Sequence, residues 1–145
     1  MPIVGFNFTK VYVEKKIITD ITTKFNIRNN VLITDLKEEK LPTGKTKANG
    51  LRFDFKYTLN YEPNIGDVEL LGFIYFLDDI DIIKGILNSW KKDKKLPQDI
   101  TSQIINAVLF KANIKALGLT QEVNLPPHLP MPRVNPETKP ESYIG

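Results

Sequence analysis

At 145 residues, 41% of them hydrophobic and 26% charged, the chain has the length and composition of one globular domain with a single core. It contains no cysteine, which excludes disulfide staples, thiolate metal sites and cysteine nucleophiles. A net charge of +3 is too mild for a nucleic-acid-binding tail. No apolar run approaches the roughly 20 residues that cross a bilayer, and the N-terminus lacks a basic patch leading into an apolar stretch. These features predict a soluble, cytoplasmic protein with no membrane partner.

The first predicted strand spans about Val4 to Val13, where Val4, Phe6 and Phe8 fall on one face and the β-branched and aromatic content favours extended backbone. Glu14-Lys15-Lys16 interrupts it. A second strand follows, in which Ile21, Thr23, Phe25, Ile27, Val31 and Ile33 share one parity. A bulge or bend is expected at Arg28-Asn29-Asn30, and the strand fades in the charged run Lys37 to Lys40. Leu41 to Gly50 reads as a flexible hairpin loop. The strand signal is clearest next: Leu51, Phe53, Phe55, Tyr57, Leu59 and Tyr61 occupy every odd position, with polar residues between them.

After a tight turn at Glu62 to Asp67, Val68 to Leu77 is apolar on both faces from Leu70 onward. Such a strand lies in the middle of a sheet, or has its second side covered by a helix or another subunit. Asp78, Asp79 and Asp81 crowd the start of a helix, where negative charge and capping are favourable, and Lys91, Lys92, Lys94 and Lys95 sit at its far end. Its apolar stripe is Ile82, Ile83, Ile86, Leu87 and Trp90. A second helix restarts at Leu96-Pro97, with core positions Ile100, Ile104, Ile105, Val108, Ala112 and Ala116 and a stop at Gly118. From Asn124, the prolines at 126, 127, 130 and 132 exclude a helix or interior strand and predict an extended arm; Asn135 to Gly145 reads as loose. The predicted fold is therefore α+β, a four-stranded antiparallel β-meander followed by two helices and an extended Pro-rich arm. Residues 1–122 form the domain and 123–145 the arm with its C-terminus.

Catalytic and metal chemistry is not offered by the residue pattern. The single histidine, His128, stands in the arm without rigidly held partners. The Asp78-Asp79-Asp81 cluster lacks the glycine and distal glutamate of a calcium loop. Gly44-Lys45-Thr46 resembles the end of a phosphate-binding loop but has neither the upstream glycine nor the flanking strand and helix. The expectation is a non-enzymatic binding protein without cofactor or metal. Residues 1–62 carry 11 Lys/Arg against 7 Asp/Glu, so the basic excess lies with the strands, where Lys45, Lys47, Arg52 and Lys56 could form a face for RNA. The aromatics of the Leu51–Tyr61 strand take the opposite parity, which favours a merely solvated face.

The order of four antiparallel strands, a helix pair and an Asn-Leu-Pro-Pro segment resembles the bacterial secretion chaperone SecB. The matching stretches are Leu51–Tyr61, Val68–Leu77 with its mid-strand Gly72, and Val123-Asn124-Leu125-Pro126-Pro127. The resemblance implies a holdase that grips unfolded, extended polypeptide in an apolar groove beside the sheet, usually as a homo-oligomer. Two departures stand out. Arg52 and Lys56 replace the acidic character of the SecB sheet, so docking to a secretion motor is not implied. Leu129-Pro130-Met131-Pro132-Arg133-Val134 also replaces a further helix. Candidate binding residues are Leu125, Pro126, Pro127, Leu129, Met131 and Arg133 of the arm with Phe73, Tyr75 and Trp90. The alternative is a small basic subunit of a larger assembly, such as a ribosome-associated or other RNA-containing particle, whose arm orders on its partner.

Overall fold

The computed structural model describes residues 3–16 and 24–136. Four strands come first, β1 (Ile3–Lys15), β2 (Asn26–Thr43), β3 (Thr46–Glu62) and β4 (Gly66–Phe76); two helices follow, α1 (Ile80–Asp93) and α2 (Gln98–Glu122). The strands form one antiparallel sheet in the order β1-β4-β3-β2. Thus β2, β3 and β4 are a meander of hairpins, and β1 returns to pair along the far side of β4. Both outer strands, β1 and β2, are edges among the described residues.

The alternation in β3 decides which side of the sheet becomes core. Leu51, Phe53, Phe55, Tyr57, Leu59 and Tyr61 are all fully buried, each contributing roughly 1.5–3 kcal/mol relative to exposure. Their partners across β4 are Phe76, Ile74, Gly72, Leu70 and Val68, so the even residues of β4 share that face. The helices lie over β2, β3 and β4 on this side. In α1 the buried stripe is Ile83, Ile86 and Leu87; in α2 it is Ile100, Ile104, Val108, Ala112, Ala116 and Thr120. That second stripe repeats every four residues, and its small residues Ala112 and Ala116 let the helix approach the sheet closely. Ile105 and Trp90, predicted as core, are only partly buried, and Ile82 is exposed.

Several boundaries differ from the sequence expectations, each for a local reason. Register slips between Ile3 and Gly5, so Val4 is squeezed out of the Phe6–Phe8 face and left exposed. In β2 the pairing runs unbroken through Arg28-Asn29-Asn30, and the bulge falls at Thr34 instead. The bulge lets Leu36 inherit the core side from Val31 and Ile33. The expected ten-residue loop at Leu41–Gly50 shrinks to the turn Gly44-Lys45, with Gly44 at φ 68°. Leu41 pairs with Ala48 and packs over Gly50, and this burial extends both strands past the charged run. Helix α2 passes through Gly118, whose missing side chain faces open space, and ends at Glu122. Ile21 and Thr23 of the predicted second strand lie outside the described residues, as do residues 137–145.

The expected cover over the second face of β4 takes a different form. Leu71, Phe73 and Tyr75 point away from both helices and are half-buried between the flanking strands β1 and β3. The Arg52 guanidinium lies 4.0 Å from the Phe73 ring centre while its Nε donates to Asp54 at 2.9 Å. Tyr75 packs on Phe73 and over Gly5, where a Cβ would meet its ring at 3.1 Å. What holds β4 in place is its central position between β1 and β3.

Candidate functional site

Because β2 is an edge strand and the helices cross above it, a groove opens between them. It is lined by Val31, Leu32 and Ile33 of β2, Trp90 and Lys94 at the end of α1, Leu96 in the connection, and Thr101 and Ile105 of α2, enclosing about 260 Å³. The geometry follows from the chain. Helix α1 ends when Lys94 takes the left-handed conformation at φ 55°, its N–H donating to the Trp90 carbonyl at 2.9 Å. That reversal brings Lys94 Nζ to 5.1 Å from the Trp90 ring centre. Leu96 then carries the chain to Pro97, the N-cap position of α2. The result is an apolar trough with one cation at its rim, flanked by the outer edge of β2, which pairs with no other strand among the described residues. An extended segment could pair with that edge and place alternate side chains in the trough.

The arm packs farther along the same side of the sheet, against the C-terminal half of α2 and the end of β3. After α2, Asn124 turns at φ 57° and the Leu125 N–H donates to the Thr120 carbonyl at 2.8 Å. Leu125 is buried against Gly66, where a Cβ would come within 2.9 Å of it. The Pro126 carbonyl accepts from the Tyr61 hydroxyl. His128 Nε2 lies 3.0 Å from Asn113 Oδ1 and 3.3 Å from the Tyr57 hydroxyl, and the Tyr57 hydroxyl donates to Asn113 Oδ1 at 2.9 Å. Burial pushes the Tyr57 and Tyr61 hydroxyls up to about 12, so both remain donors at neutral pH.

Burial lowers the His128 pKa below its usual 6.5, and among the described residues its Nδ1 has no hydrogen-bond partner. The docked arm therefore favours the neutral ring. The unfolded chain binds the proton more readily, so this contribution is complete above pH 6.5 and is lost as pH falls below it. Urea unfolding at pH 7 and pH 5 is expected to show a loss that His128→Gln reduces, the difference between the two proteins isolating the imidazole.

Of the remaining candidate residues, Pro127, Leu129, Met131 and Arg133 are exposed along the arm, and Trp90 lines the groove. Phe73 and Tyr75 sit on the opposite face of the sheet, so the predicted set divides between two surfaces. On that outer face aromatics do adjoin cations: β4 supplies Phe73 and Tyr75 beside Arg52, which the parity of β3 alone does not reveal. The cations there are matched by carboxylates. Lys10 and Lys56 both meet Glu69, at 2.7 and 3.3 Å, Arg52 meets Asp54, and Lys16 meets Asp67 at 2.7 Å. This is a mixed-charge surface, not a basic stripe. The sequence pattern does not mark Val31, Leu96 and Ile105 as groove residues, because periodicity gives Val31 and Ile105 only as core and Leu96 only as the restart of the second helix; the signal for them is their place on an edge strand and at a helix junction.

The Asp78-Asp79-Asp81 cluster serves the start of α1. Asp78 accepts from the Asp79 N–H at 2.8 Å, and Asp81 lies in the first turn, although the Asp79 side chain makes no capping bond. No group of three acidic or histidine ligands comes together among the described residues. Exhaustive chelation is expected to leave the melting temperature unchanged.

No helix among the described residues is long and apolar enough to cross a membrane. No family model matches the sequence, and no curated protein matches it either. The fold does have a counterpart among solved structures, in the SecB-like class of chaperones. The chain is similar to the Rv1957 SecB-like chaperone of Mycobacterium tuberculosis, solved in complex with a ChAD peptide from the Rv1956 HigA1 antitoxin. The TM-score is 0.57, with 9% sequence identity, over 92% of this chain and 91% of that one. At this identity the likeness is one of fold.

Proposed function

We propose that this protein is a non-catalytic polypeptide-binding chaperone that holds extended apolar segments in the groove between β2 and the helices. The observation that carries the reading is the coincidence of a sheet edge, unpaired among the described residues, with an apolar trough at Val31, Ile33, Trp90, Leu96 and Ile105. Backbone pairing supplies affinity without sequence preference, and the trough selects for apolar side chains. The fold likeness to a chaperone bound to a peptide supports the same reading. The paired charges of the outer face give no comparable support to an RNA-binding subunit.

Trp90 is the only tryptophan, so its emission reports on the groove directly. Titration with a tryptophan-free, permanently unfolded apolar polypeptide is expected to shift that emission, and the protein is expected to suppress aggregation of a denatured client. Ile105→Lys, at a partly buried position on the rim, is expected to weaken binding at least about tenfold, since a second cation beside Lys94 finds no carboxylate among the residues that line the trough. A normally melting wild-type protein that neither changes emission nor delays aggregation would sink the reading.

A further inference from the structure

The arm carries a periodicity that its docking only half uses. A polyproline-type segment has three residues per turn, so residues three apart share a face. Leu125, His128, Met131 and Val134 form such a row. Its first two members are packed inward, Leu125 against Gly66 and His128 against Asn113 and Tyr57. The last two are apolar yet 49% and 63% exposed. The row leaves the surface of α2 and β3 where the chain bends at His128-Leu129.

The spacing along α2 shows where the row would land if that bend opened. Contacts at Thr120 and Asn113 show that the arm runs back along the helix, antiparallel to it. Three arm residues advance about 9 Å, the rise of about six helical residues. Leu125 and His128 already advance at close to this pace, seven helical residues from Thr120 to Asn113. Continued, it sets Met131 beside Ala107 and Val134 beside Thr101, bracketing Ile105. Those positions border the trough lined by Thr101, Ile105, Val31, Ile33 and Trp90. On the strand side the match repeats, because Asn29, which bonds Asn113, precedes Val31 and Ile33 by two and four residues. The backbone is suited to the straight form. Leu129 and Met131 each precede a proline, which biases both toward extended conformations and away from helical ones.

We propose that the arm is an internal competitor: Met131 and Val134 seat in the groove between β2 and the two helices, and a bound polypeptide displaces them. The competition rests on the polypeptide-binding reading above; the seating of the arm does not. The arm occupies the groove as a client would, with an extended backbone and apolar side chains at regular spacing. The apparent affinity for clients is then reduced by the fraction of molecules whose groove is closed.

The test uses the full-length protein with Met131→Asp and Val134→Asp together, positions exposed enough for the fold to survive. Without any client, acrylamide quenching of Trp90 is expected to increase in the variant, and the wild-type value is expected to return on adding a synthetic peptide of residues 129–136. Affinity for a tryptophan-free unfolded polypeptide is expected to rise several-fold. Identical emission and quenching in the two proteins would overturn the seating of the arm. Altered quenching with equal client affinity would overturn the competition. Altered quenching while neither protein binds a client would uphold the seating and instead remove the polypeptide-binding function.

Discussion

Replacing Ile74 with aspartate is expected to unfold the protein, whereas the same replacement at Phe73, one residue away, is expected to leave it folded. Ile74 is fully buried, paired across the sheet with Phe53 and Phe6 beneath the helices. A carboxylate there finds no partner, and even if it stays protonated it leaves a buried polar group that costs several kcal/mol. That is a large share of the roughly 5–15 kcal/mol that holds a domain of this size together. Phe73 faces the other way. Its neighbour is the Arg52 guanidinium at 4.0 Å, so Phe73→Asp exchanges a cation–ring contact for an ion pair on a wet surface. Circular dichroism melts of the two variants check the contrast. A cooperative melt for Ile74→Asp near the wild-type temperature would contradict the one-sided core.

Gly72→Val is expected to destabilise the protein by about 1–3 kcal/mol or more, despite the favourable strand propensity of valine. Gly72 lies at the centre of β4, opposite Phe8 on one side and Phe55 on the other. A Cβ built there would collide with the backbone carbonyl of Asn7 and come within 2.6 Å of the tip of the Phe55 ring. The ring contact could relax, but the carbonyl belongs to β1 and moves only if the strand moves. Phe6, Phe8 and Phe55 form one cluster, with ring centres 5.1 to 6.1 Å apart, so displacing β1 loosens all three. Hydrogen exchange is expected to localise the damage, with β1 amides losing protection before those of the β2–β3 hairpin.

The strand of odd-numbered apolar residues in β3 and the main helical stripes were legible because burial on one face imposes a period that survives in the sequence. Boundaries were less so, since Leu41 extends two strands by packing over Gly50, a contact between residues nine apart that no local pattern contains. The two-sided apolar character of β4 was visible, but its cause was not. Central position needs β1 to pair with β4, and only the tertiary fold specifies that. The groove was the least legible feature. Trp90 was singled out from the sequence, yet Val31, Leu96 and Ile105 share it only because an edge strand, a left-handed helix end and the rim of α2 converge.

The bulge at Thr34 has a bearing on solubility. An 18-residue edge strand is a template on which identical chains could stack without limit. Here the template is interrupted: the bulge twists β2 midway, Lys37 to Lys40 charge the stretch beyond it, and Pro42 lacks a donor. Arg28 charges the stretch before it. The uninterrupted apolar part of the edge is reduced to Val31–Ile33, the segment that borders the groove. Under the proposed function, a foreign strand received there pairs for a few residues only, so recruitment of one chain would not become polymerisation of many.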